Sequence, residues 1–219
     1  MNKSISLFLF SFLSISCFEP KENKTDEAIS DGKSNQIKEK KLALNNEDNE
    51  SLKEWFVYYN NREVNFSLES FTFLSTDSLR VVKGTVYGVF DKEYDTIYTD
   101  FLVFNAKKDK YIDFDSYNWL VDNEKTVVFS PDQEINLVDI ENKTVNRIGF
   151  RGSLQWVEEA FWKKDSIIFL LENTIENQPI ITEINLKNNI INSYQYKKKL
   201  KFKSEYCKMR LKKRGLIME

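Results

Sequence analysis

Apolar positions along the chain fall into three regimes. Residues 5–15 form an uncharged, mainly apolar run. Residues 18–50 are crowded with Lys, Glu, Asp and Asn and have few apolar side chains. From Ser51 onward the apolar positions become periodic. Leu52, Trp55, Phe56 and Tyr59 recur at i, i+3, i+4 and i+7, which predicts one amphipathic helix over 52–60. Ser51 and Glu54 have the spacing of a capping box at its start, and Asn60-Asn61 end it. Beyond it the period changes to two, with β-branched and aromatic runs separated by Asp, Asn, Gly and Lys clusters. The predicted strands are 71–74, 80–90, 97–104, 111–114, 126–129, 134–140, 144–150, 157–162, 166–171, 180–186 and 190–196.

Two of the connections, Glu141-Asn142-Lys143 and Lys187-Asn188-Asn189, are short enough to be hairpin turns, which makes the strands they join antiparallel. The stretch from Ile135 to Asn146 matches that from Ile181 to Asn192 at an offset of 46 residues. Trp119 with Asp122, and Trp162 with Asp165, precede the two copies. A period near 45 is that of a four-stranded propeller blade. Phe129-Ser130-Pro131-Asp132 resembles the turn phrase of TolB-type propeller blades, with Gln133 where those have Gly. That resemblance covers about residues 111–196. The 169 residues from 51 to 219 fall short of four blades, so the expected fold is all-β: mainly an antiparallel meander, with blade-like sheets packed on each other and one short N-terminal helix. A β-sandwich is the alternative, and any β meander gives a pseudo-repeat of hairpin length.

Composition narrows the chemistry. The 219 residues suffice for one domain plus appendages. The chain contains no His, which removes His-ligated metal sites, His-based triads and a His general base. Lys+Arg 32 against Asp+Glu 34 gives a net charge of −2, so no global footprint for nucleic acid is present. No cofactor or metal is called for.

The first regime is a leader. Lys3 supplies a positive start, and the 11 residues of 5–15 are too few for a spanning helix, which needs about 20. Leu13-Ser14-Ile15-Ser16-Cys17 resembles the lipobox of bacterial lipoproteins, with Ser14 where that family usually has an aliphatic residue. The resemblance implies that Cys17 becomes the acylated N-terminus and ties the chain to a lipid bilayer. An ordinary signal peptidase acting at Ser14 and Ser16 is the alternative, leaving a plain Cys17. The organisation is then a signal peptide over 1–16, a charged, flexible, lipid-anchored tether over 17–50, and a single β-rich domain over 51–219. Cys207 is the other cysteine. It has no partner if Cys17 is acylated, and a Cys17–Cys207 disulfide is open otherwise. Tyr111 to Asn118, Gln133 to Asp139, and Asn146 to Gly152 with Trp156 and Trp162 resemble stretches of uncharacterised flavobacterial lipoproteins. Phe18, not Asp, follows Cys17, so the inner-membrane retention signal of enterobacterial lipoproteins is not matched, and Glu19, Lys21 and Glu22 resemble the charged export tag of surface-exposed lipoproteins; the expected place is the cell envelope, at the outer membrane, facing the periplasm or the surface.

Several places are candidates for chemistry. Asp113 and Asp115 flank Phe114 and share a face if the strand continues through them. They are either a carboxylate pair for acid/base work or a charged, solvent-facing strand edge. Asp91, Glu93 and Asp95 lie in a predicted turn. The loop from Gly149 to Trp156 offers Arg151, Gln155 and Trp156 as an interface-type cluster for a protein or glycan partner. Residues 197–219 carry +8, against −10 on the rest of the chain. Alternating Leu200 and Phe202 among Lys199, Lys201 and Lys203 suit a guarded edge strand or a docking surface for anions. The expected role is a non-catalytic binding module. The alternatives are a carboxylate-dependent, glycan-directed envelope hydrolase and an immunity or inhibitor lipoprotein.

Overall fold

The computed structural model describes residues 40–45 and 48–217. Within them the chain is mostly antiparallel β. It starts with helix α1 (Glu50–Asn60) and ends with helix α2 (Tyr206–Lys213), and twelve strands lie between. One five-stranded sheet has the order β1 (Phe71–Ser78), β12 (Ile190–Tyr196), β11 (Ile180–Asn185), β10 (Ile167–Thr174), β9 (Gln155–Trp162). A second has the order β2 (Val82–Lys83), β8 (Thr144–Arg151), β7 (Gln133–Asp139), β4 (Lys110–Asp113), β3 (Val103–Phe104). The pair β5 (Trp119–Val121) and β6 (Val127–Phe129) forms a separate hairpin.

Strand alternation sorts the side chains into layers. In β10, Phe169 and Leu171 enter the core that the first sheet makes with α1, while Ile168 and Leu170 enter the core it makes with the second sheet. A strand covered on both faces must be apolar at successive positions, and the run Ile167 to Leu171 is. The α1 core is built from aromatic rings: Trp55, Phe56, Tyr59, Phe66, Phe71 and Tyr196. Their ring centroids lie 4.6–6.5 Å apart in stacked, tilted and edge-on pairs. A third, smaller core joins Trp119 and Val127 of the hairpin to Tyr98, Phe101 and Leu211 of α2.

The internal repeat corresponds to a hairpin used twice. Its first copy is β7–β8 and its second β11–β12. In the first turn Asp139 accepts from the Asn142 N–H at 2.9 Å, and in the second Asn185 accepts from the Lys187 N–H at 3.0 Å. Lys143 and Asn189, 46 apart, both adopt positive φ, at 49° and 52°. Asp139 is also paired with Lys110. Burial works to raise its pKa, but the hydrogen bonds from Lys110 and Asn142 outweigh this and hold it down to about 2.

Several expectations are corrected. The helix cap is Asn49, whose Oδ1 accepts from the Ser51 N–H at 2.8 Å, so the helix starts before Ser51. The predicted strand 80–90 shrinks to Val82–Lys83, because the chain then hugs the second sheet. A Cβ on Gly84 would stand 2.6 Å from both Asn136 Oδ1 and Val145 Cγ1. The predicted strand 97–104 is mostly a 3-10 helix, Thr96–Phe101, capped by Asp95 accepting from the Ile97 N–H. Residues 199–203 form no edge strand: Leu200 is buried and Phe202 packs against the α1 core. The helix α2 that follows closes with Gly215 at φ 85°, where Leu216 N–H reaches back to Leu211 C=O. The packed part of the chain also begins before Ser51. Leu42 and Leu44 lie against the α1 core, Lys40 donates to Asn192, and Lys163 donates to Ala43 C=O and Asp48.

Candidate functional site

Where β8 leaves the second sheet and β9 enters the first, the turn Gly152–Gln155 overhangs a cleft of about 320 Å³. Phe129, Pro131, Trp156 and Cys207 give it apolar walls, and Lys203 and Lys208 stand at its rim. Its position follows from a seal on the β9 edge. Gln133 is buried, and its side-chain amide takes the place of a neighbouring strand. Val157 N–H donates to its Oε1 at 2.7 Å, and its Nε2 donates to Val157 C=O at 3.3 Å and Phe114 C=O at 2.9 Å.

The structure brings Gln155 and Trp156 into this cleft and leaves Arg151 outside its lining. Arg151 Nε donates to the fully buried Glu172 at 2.8 Å. Gln155 Nε2 and Thr182 Oγ1 donate to the same carboxylate, at 2.9 and 2.7 Å. Arg151 therefore braces the turn that carries Gln155. The Cys17 expectation lies outside the described residues.

Trp156 connects the cleft to a second buried carboxylate. The register of β9 against β10 slips between Leu171 and Glu172, so Glu158 has no cross-strand partner. This bulge turns Glu158 toward α1, where Trp55 Nε1 and Tyr59 OH donate to it at 2.8 and 2.7 Å. Trp156 Nε1 reaches its other oxygen at 3.4 Å. Burial raises the Glu158 pKa, against hydrogen bonds from Ser204, Tyr59 and Trp55 that pull it down. Burial likewise pushes the Cys207 thiol well up, so the cleft presents a protonated thiol, a weak nucleophile.

Asp113 and Asp115 occupy no solvent-facing edge. Both are buried. Strand β4 ends at Asp113, whose carboxylate accepts from the N–H groups of Asp115 and Ser116 at 3.1 and 3.0 Å and from the Ser116 hydroxyl. Burial nevertheless raises its pKa. Asp115 accepts from Trp119 Nε1 at 2.7 Å and takes both arms of the Arg210 guanidinium, at 2.6 and 3.0 Å. Arg210 is itself buried, 4.8 Å from the centre of the Phe114 ring. Sequence reasoning missed this pair, which joins residues 95 apart. A charge in the midst of an exposed-looking basic tail gave no signal of burial.

A larger groove, about 910 Å³, runs between α1 and α2. It is lined largely by charged side chains, and Lys53–Glu50 and Lys213–Glu54 pair along it. Among the described residues no group of three His, Cys, Asp or Glu side chains is placed to hold a metal ion, and no helix is long and apolar enough to cross a membrane.

No protein-family model, no curated protein and no solved structure matches the chain.

Proposed function

We propose that this chain is a non-catalytic binding module of the bacterial cell envelope, held to the membrane by acylated Cys17 and taking its partner in the Trp156 cleft. One observation carries the reading. Phe129, Pro131, Trp156 and Cys207 give the cleft apolar walls between polar groups such as Asn118, Gln155 and Glu205, while the buried carboxylates Glu158, Glu172 and Asp115 are committed to holding the fold together. A mostly apolar concavity with a few fixed polar groups is the usual form of a binding site. Leu154, within the Gly152–Gln155 turn, and Ile175, 66% and 61% exposed, are joined by a backbone hydrogen bond and add exposed apolar surface at that turn. The lipobox-like phrase ending at Cys17 supports the anchor: in the lipoproteins it resembles, the Cys carries a diacylglyceryl thioether and an N-acyl chain, and several chains hold stably where one alone would hold only marginally. The partner is a protein or glycan of the envelope.

Substitutions at two positions test the two halves. Cys17→Ser is expected to move the protein from the membrane pellet to the soluble fraction of lysed cells; continued sedimentation with membranes would refute the anchor. Trp156→Phe keeps a ring in the cleft and loses the indole N–H, whereas Trp156→Ala empties that wall. Envelope material captured on the wild-type protein is expected to be lost with Trp156→Ala and reduced with Trp156→Phe. Undiminished capture by a folded Trp156→Ala protein would remove the cleft from the account.

A further inference from the structure

The turn holding Asp91, Glu93 and Asp95 plays no part in the Trp156 cleft. It borders a separate pocket of about 270 Å³, of whose nine lining residues four are Tyr87, Tyr94, Tyr98 and Tyr117. Glu93 and Asp95 complete its charged lining, and no Lys or Arg contributes. Tyr87 and Tyr117 stand half exposed at the opening, whereas Tyr98 is buried and its hydroxyl donates inward to Trp119 C=O at 2.7 Å. Tyr98 thus offers its ring rather than its hydroxyl. Burial pushes the Tyr98 phenol up to about 12, and the carboxylates of Asp95, Asp113 and Asp115 push the same way. Tyr94 is shifted upward too, first by burial and then by Asp113. The pocket is therefore aromatic, electronegative and free of competing cations.

We propose that this pocket binds a quaternary ammonium group. The electron-rich faces of tyrosine rings attract a cation most strongly when it is poorly hydrated. A quaternary ammonium has no N–H to satisfy, so ring faces and charge alone hold it. Asp95 accepts from the Ile97 N–H at 3.0 Å, and Glu93 lies close enough to the Tyr87 phenol to raise its pKa. A primary ammonium carries three N–H donors and a tight hydration shell that ring faces do not replace. A divalent cation such as Ca²⁺ would need six or more oxygen ligands, and no such cluster exists among the described residues. An anion would meet the carboxylates. The site is independent of the Trp156 cleft and of the membrane anchor.

The test is a titration of the purified full-length chain, followed by calorimetry or ligand-observed NMR. The probes are choline, tetramethylammonium, ethylammonium and 3,3-dimethylbutan-1-ol, the neutral isostere of choline. Choline and tetramethylammonium are expected to bind, with the neutral isostere and ethylammonium each weaker by about tenfold. Tyr117→Leu and Tyr87→Leu, at exposed positions that tolerate change, are each expected to weaken choline binding about fivefold, and Trp156→Ala is expected to leave it unchanged. Phosphocholine distinguishes the source: binding as tight as choline marks a headgroup or glycan decoration, and weaker binding marks a free ammonium compound. The proposal is overturned by equal affinity for the neutral isostere, by no binding of choline up to about 50 mM, or by loss of binding with Trp156→Ala but not with the tyrosine variants.

Discussion

Replacing Arg210 with Met is expected to lower the stability of the protein by about 3–5 kcal/mol, because it strands Asp115 as an unpaired charge in the interior. Asp115 is buried, and Arg210 supplies two of the three hydrogen bonds described for its carboxylate, the third coming from Trp119. The pair also holds α2 in place, since Leu211, next in the chain, packs in the third core with Trp119 and Phe101. Urea denaturation at neutral pH measures the loss. The double variant Arg210→Met, Asp115→Leu is expected to lose less than the sum of the two single changes, because removing both charges together leaves no buried ion behind. A single Arg210→Met protein within about 1 kcal/mol of wild type would show that the pair contributes little.

Glu158 is the second position where one atom group governs much of the fold. Changing it to Leu leaves Trp55 Nε1 and Tyr59 OH facing an apolar group. These are buried donors, each costing about 1–3 kcal/mol when unsatisfied, so a loss of about 3 kcal/mol or more is expected. Changing it to Gln keeps one oxygen for those two donors and is expected to cost about 1 kcal/mol. The two variants also differ from wild type in pH dependence. Burial raises the Glu158 pKa in the folded state. Below the unfolded carboxyl range, near 4.3, both states hold the proton. As pH rises above it, the unfolded chain releases its proton first, the folded state binds more protons, and stability falls until the folded pKa is passed. Glu159 and Asp113 are shifted in the same direction. Wild-type stability is therefore expected to decline from about pH 4.5 upward, and Glu158→Gln to decline less steeply. Equal slopes for the two proteins would mean that Glu158 ionises normally.

The sheets were legible where hydrogen bonding between chain neighbours dominates. From Gln133 to Tyr196 each strand pairs with the next one in sequence except at the single crossing from β8 to β9, and alternation and turn residues mark the strand ends to within about three residues. The connection after Arg151 was legible for the same reason, although Gln155 and Trp156 open β9 rather than lie in the loop. Legibility failed where tertiary contacts decide. Tyr98 and Phe101 are three apart and both turn to Trp119, and this suits the 3-10 helix better than a strand, but β-branched and aromatic composition pointed to a strand. Tyr206, Arg210 and Leu211 carry the buried side of α2 in a segment whose other residues are mainly basic. The partner that takes Arg210 into the interior, Asp115, is distant in sequence. The Glu158 bulge leaves no trace in the period-two pattern, because one extra residue in a strand becomes visible only against its partner.

The short segment from Lys40 to Asn45 bears on mechanics. It lies against the first sheet, with Lys40 at Asn192 of β12 and Ala43 held by Lys163 at the β9–β10 turn. Leu42 and Leu44 contact the aromatic core between these two points. A pull on the chain from the N-terminal side of Lys40 meets these contacts before it reaches α1. They would have to peel away in turn before the first turn of the helix felt any force. The segment thus acts as strain relief: a tension applied ahead of Lys40 is taken up by these contacts while the aromatic core and the Trp156 cleft keep their geometry.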